Sequence, residues 1–101
     1  MSRAKEVLVD SNVVVYSLNS SDSHHKKALE FVEKIKLGEV IGVISEQNLF
    51  EAYRVLTHKK FSNPMSSTEA FAQLNLWKDL CRVLYFSPEA LELSLALCKK
   101  Y

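Results

Sequence analysis

Gly38 and Gly42 are the only glycines in this chain, and Pro64 and Pro88 the only prolines. A fold of many short strands needs a turn about every ten residues, and such turns draw heavily on Gly and Pro. So few of either in a chain of 101 residues argues against a sandwich or a small barrel of many short strands. The chain is expected instead to use long helices and a few buried strands. With 48% hydrophobic and 25% charged residues, it is also not collagen-like, disordered or a disulfide scaffold. Its length suits one domain spanning residues 1–101, large enough to bury a core without disulfide or metal staples.

The pattern along the chain supports that class. Glu6 to Asp10 reads as a short strand, apolar throughout as expected of one covered on both faces. Asp10, Ser11 and Asn12 end it with residues suited to a turn or a helix cap. Val13 to Leu18 looks like a short helical or irregular segment, though its β-branched residues make extended structure possible there too, and periodicity does not separate the two. Asp22 or Ser23 is placed to cap a helix running to about Leu37, with Ala28, Phe31 or Val32, and Ile35 inward and Gly38 as its stop. Val40 to Ile44 is a second strand, in which Gly42 signals a close backbone approach. Ser45 caps the next helix, whose stripe is Leu49, Ala52, Tyr53 and Leu56. Asn63-Pro64 breaks the chain, and Ser66 to Glu69 forms a capping box for a helix to about Leu80. Ala70, Leu74, Trp77 and Cys81 are expected inside, and Phe71 is assigned to the core as well. Val83 to Phe86 is a third strand. Ser87-Pro88 opens a last helix, with Ala90 or Leu91, Ser94 or Leu95, and Cys98 on one side. The order β-α-α-β-α-α-β-α calls for an open, mostly parallel sheet with helices on both faces.

Charge narrows the partners. Lys and Arg number 13 and Asp and Glu 12, giving a net charge of +1. Nucleic-acid contact must then be local rather than a property of the whole surface. No wholly apolar run is longer than Val13–Tyr16, which excludes a membrane span. The apolar stretch near the start is interrupted too early for a signal peptide. Cys81 and Cys98 match no metal or redox spacing, so both are expected as reduced, buried thiols of a cytoplasmic protein.

Two acids stand out by position. Asp10 ends the first strand, and ligands of open parallel sheets gather outside the carboxyl ends of strands. Glu51 lies in the second turn of the helix after the second strand, at the same edge if crossovers are right-handed. Together they could share a divalent cation, which takes a few carboxylates plus waters and phosphate oxygens. A cation there would suit attack on a phosphodiester. The plainer readings are a turn residue for Asp10 and a helix-dipole partner for Glu51. Arg54, His58, Lys59 and Lys60 cluster at the end of the same helix, either as phosphate contacts or as a solvated, dipole-complementing terminus. His24 and His25 sit in a polar loop and are assigned to solvent.

The segment Val7-Leu-Val-Asp-Ser-Asn-Val-Val-Val-Tyr16 resembles the opening of PIN-domain proteins. Ile44-Ser-Glu-Gln-Asn-Leu-Phe-Glu-Ala-Tyr-Arg-Val-Leu-Thr57 is similar to the family's second block, with its acid at Glu51 rather than Glu46. The loop Ser20 to His25 and the tail Val83 to Cys98 resemble the VapC-like toxin branch. The resemblance implies an endoribonuclease dependent on Mg²⁺ or Mn²⁺, the toxin of a type II toxin–antitoxin pair, cytoplasmic, with RNA and an antitoxin protein as partners. It implies Asp10 and Glu51 as catalytic metal ligands, with Ser11 and Asn12 supporting Asp10 by hydrogen bonds.

The family pattern continues with a third acid, often a fourth, and one or two further strands beyond the point where this sequence stops. The expectation is therefore a PIN-like sheet lacking its C-terminal strands, with weak metal affinity, and a homodimer or a partner-bound form covering the bared sheet. The competing expectation is a module without catalysis that acts through protein–protein binding or oligomerisation. A third reading, a generic small-molecule binding domain of doubly wound type, has neither a glycine-rich phosphate loop nor a serine nucleophile elbow to support it.

Overall fold

A computed structural model of the chain describes residues 4–85 and 87–100; in the last helix the side chains at 90, 94 and 98–100 lie outside that description. The expected strand end at Phe86 and the expected inward Ala90, Ser94 and Cys98 therefore fall outside the described residues.

The elements follow the expected order: β1 (Lys5–Leu8), α1 (Ser11–Ser17), α2 (His25–Lys36), β2 (Val40–Ser45), α3 (Glu46–Thr57), α4 (Ser67–Leu80), β3 (Arg82–Leu84) and α5 (Pro88–Lys100). The strands form one parallel sheet in the order β1-β2-β3. Lys5 to Leu8 pair with Val40 to Val43, and Val43 to Ser45 pair with Arg82 to Leu84.

This topology stacks the helices unevenly. A sheet that grows in one direction through right-handed crossovers carries both connections on the same face. Accordingly, α1 to α4 bury Val9, Val14, Ile35, Ile44, Leu49, Ala52, Leu56, Ala70, Leu74, Trp77 and Cys81 in one core. The opposite face is covered by α5, where Leu97 packs with Val43 and Leu84. Adjacent residues of β2 thus serve different layers, Ile44 one and Val43 the other, as the two-residue period of a strand requires.

Local signals explain most boundaries. Gly38 takes φ +76° and ends α2 with its N–H on the Ile35 carbonyl and the Glu39 N–H on that of Lys34. That crossed pair satisfies two carbonyls the helix end would orphan. Ser45 caps α3 by accepting from Asn48 N–H, and Ser66 caps α4 by accepting from Glu69 N–H. The ambiguous stretch after the first strand is helical: the Asp10 side chain caps α1 by accepting from Asn12 N–H, while Val14 is fully buried. The cap and the buried contact outweigh the β-branched preference for extended structure.

Several expectations are corrected. The first strand is only half covered, with Lys5 exposed and Glu6 to Leu8 intermediate, because β1 pairs on one side only. Asp22 and Ser23 do not cap α2. Its N-cap is His24, and the Asp22 carboxylate accepts from the His24 N–H in the turn before it. Phe71 is not core. It is 59% exposed and lies against Tyr53 with the ring planes tilted by 31°, while Trp77 is buried. Among the described residues no helix is long and apolar enough to cross a membrane.

Candidate active site

The site forms where β1 ends and α3 begins. The Val9 N–H still donates to the Val43 carbonyl at 2.7 Å, so the sheet holds the chain up to the residue before Asp10. Asp10 is then placed by its capping role. Its Oδ1 accepts from the Asn12 N–H and from the Ser11 hydroxyl, both at 3.1 Å. The Glu51 carboxylate arrives from α3, its Oε2 standing 3.3 Å from the same Ser11 Oγ. One hydroxyl therefore separates two carboxylates that are 41 residues apart in sequence. The hydroxyl has one proton to share between the two oxygens. Asp10 and Glu51 are exposed, whereas Ser11 is buried.

A second tie sets the approach of α3. Asn48 Nδ2 donates to the Val9 carbonyl at 3.0 Å, across 39 positions. Asn48 was not singled out in the sequence as a site residue. Its place one helical turn before Glu51 was the available signal.

Beside the carboxylates an open groove of about 630 Å³ is lined by Ser11, Asn12, Glu51, Arg54, Val55, His58, Lys60 and Phe61. Arg54 and His58 thus share a wall with Glu51. Lys59 is exposed and outside this lining, and Lys60 stands there instead. Asn12 supports Asp10 through its backbone N–H rather than its side chain. His58 Nδ1 accepts from the Lys60 N–H at 3.0 Å. His24 and His25 stand apart from the site. His24 stacks on Tyr16 with ring centroids 4.6 Å apart, and His25 Nδ1 bonds the Tyr16 carbonyl. Asp22 lies beside them with its carboxyl held below its ordinary range by the His24 N–H and ring.

The donor chemistry is that of a hard cation. Mg²⁺ and Mn²⁺ prefer carboxylate oxygens, and Mg²⁺ commonly accepts only one or two of them while retaining waters. Asp10 and Glu51 fit that requirement. Among the described residues no group of three or more His, Cys, Asp and Glu side chains is placed to hold a metal.

Two carboxylates outside the carboxyl edge of a parallel sheet, with a groove beside Glu51 that Arg54 and Lys60 also line, stand where such sheets take their ligands. The PIN domain family model matches residues 7–101, and the chain belongs to that family. PIN domains are in general divalent-metal-dependent nucleases that act on RNA. Comparison with curated proteins gives no match.

Proposed function

We propose that this chain is an endoribonuclease module dependent on Mg²⁺ or Mn²⁺, the toxin of a type II toxin–antitoxin pair, in which Asp10 and Glu51 hold the cation. The observation that carries this reading is the single Ser11 hydroxyl placed between the two carboxylates at the end of β1. A bound cation would supply Lewis-acid polarisation of a phosphodiester and neutralise its developing charge. The remaining work falls to the chain's own groups. Ser11 and the Asn12 N–H fix Asp10, since both donate to its Oδ1. Arg54, His58 and Lys60, which line the groove beside Glu51, contact phosphates and add affinity without sequence choice, with Lys59 at the margin. The partners are RNA, an antitoxin protein that silences the site, and a second copy of the chain.

The test is Mn²⁺-dependent cleavage of single-stranded RNA. Asp10→Asn and Glu51→Gln should each abolish it, and cleavage that persists in the double variant rejects these roles. A second reading, a module that acts by protein binding without catalysis, is favoured by the lack of a third acid grouped with Asp10 and Glu51 among the described residues. It requires the wild-type chain to bind no Mn²⁺ in calorimetry while forming a defined oligomer in light scattering.

A further inference from the structure

We infer that Asn48 is a positioning residue for the cation site, acting as a clamp that sets the distance between the Asp10 and Glu51 carboxylates. The inference rests on the metal-site reading above and deepens it.

The argument starts from the backbone of Val9. Pairing in β1 ends at Leu8, so the Val9 carbonyl has no strand partner, yet the residue is fully buried. A buried carbonyl needs a donor. Asn48 Nδ2 supplies it at 3.0 Å. The orientation of the amide is fixed by chemistry, because the flipped form would set two acceptors face to face. Val9 is thereby held on both backbone atoms, by β2 through its N–H and by α3 through its carbonyl.

The neighbours of these two residues are the acids. Asp10 directly follows Val9, and Glu51 lies one helical turn beyond Asn48. A rigid link between Val9 and Asn48 is therefore a link between the two carboxylates through short, regular backbone at both ends. Asn48 is itself anchored, since its N–H is the one that Ser45 caps at 3.1 Å. The Ser11 hydroxyl bridges the carboxylates at their tips, but at 3.3 Å and with one shared proton it is the looser tie. A dication demands a narrow range of oxygen spacing, Mg²⁺ most of all. With only two carboxylates grouped here, little else in the described residues holds that spacing.

The clamp and the cation are then thermodynamically linked. If the bond favours metal binding, metal binding favours the bond by the same factor. Two measurements follow. Asn48→Ala should weaken Mn²⁺ binding, read by calorimetry, by about tenfold or more, as loss of an orienting partner does at other metal sites. Excess Mn²⁺ should restore the cleavage rate at saturating RNA without changing KM for RNA. A merely structural role would lower the melting temperature and the active fraction but leave the Mn²⁺ half-saturation unchanged. In the unsubstituted protein, adding Mg²⁺ should slow hydrogen exchange of the Asn48 side-chain amide, a readout that needs no variant to fold.

Unchanged Mn²⁺ affinity in folded Asn48→Ala overturns the inference, and so does amide exchange indifferent to Mg²⁺. Asp10→Asn and Glu51→Gln separate the two levels. If they abolish Mn²⁺ binding while Asn48→Ala leaves it intact, the clamp alone is rejected. If none of the three alters Mn²⁺ binding, the metal site is rejected with it.

Discussion

A Cβ placed on Gly42 would meet the Cys81 Sγ at 2.7 Å and the Ile35 Cδ1 at 3.0 Å. Gly42 sits mid-strand in β2, where α2 and the C-cap of α4 both close on the sheet. Any side chain must push sulfur or methyl aside in a fully packed layer. Overpacking of this kind costs about 1–3 kcal/mol, more than the few tenths to about 1 kcal/mol gained by stiffening the unfolded chain. Gly42→Ala should therefore lower the thermal midpoint by several degrees. Gly42→Ala combined with Cys81→Ala should lose less than the sum of the two single variants, because the second removes the obstructing atom. Additive losses in a double-mutant thermal cycle would show that sulfur is not the obstacle.

The same sulfur makes a pH prediction. Burial pushes the Cys81 thiol from 9.0 up to about 11. The folded state then keeps its proton while the unfolded chain releases it, so the folded state binds more protons above the lower value. Stability from this group is fully present below pH 9.0 and declines as pH rises toward about 11. Cys81→Ser is unsuited as a control, since a hydroxyl there needs a partner. Cys81→Ala should flatten that alkaline decline. Alkylation by iodoacetamide at pH 8 should be slow in the folded protein and fast after denaturant. Equal rates in both states would contradict the burial argument.

Two aromatic residues of α4 should behave oppositely. Trp77 is buried in the larger core, and Trp77→Ala should cost about 3–5 kcal/mol, a large share of what holds a small domain folded. Phe71 is 59% exposed and meets Tyr53 with ring centroids 5.2 Å apart. Phe71→Ala should forfeit only the ring pair, about 0.5–1.5 kcal/mol. Urea unfolding of the two variants checks the contrast, and similar midpoints would place Phe71 in the core after all.

That contrast also shows where sequence reading works and where it stops. The stops and caps at Gly38, Ser45 and Ser66 are local chemistry, decided within four residues, and were legible. So was the meaning of Gly42, since an unsupported glycine in an apolar strand signals a neighbour that leaves no room. Phe71 was misread because α4 carries apolar residues on more than one side, Leu76 being 61% exposed as well, so spacing does not identify an inward face. The half-open state of β1 depends on how many strands flank it, which periodicity does not record. Asp10 and Glu51 could be placed on one edge from topology alone. The Ser11 bridge and the Asn48 tie could not, because each depends on a side chain reaching a partner about forty positions away in the chain.

The groove beside the carboxylates predicts how its wall should respond to salt. Each cation that neutralises a phosphate of a single strand contributes about 0.7 to the slope of log affinity against log salt concentration. Arg54 and Lys60 line the groove as cations. His58 lines it differently, because its Nδ1 already accepts from the Lys60 N–H. In an Asp10→Asn background that binds RNA without cutting it, Arg54→Ala and Lys60→Ala should each reduce the slope by about one such increment. His58→Ala should weaken binding by a hydrogen bond, about 0.5–1.5 kcal/mol, and leave the slope unaltered at pH 8. Lys59→Ala, outside the lining, should change the slope least. Fluorescence anisotropy of a labelled oligoribonucleotide between low and moderate salt reads all four. Equal slopes for the unsubstituted groove and the Arg54 and Lys60 variants would mean that RNA does not run along this wall.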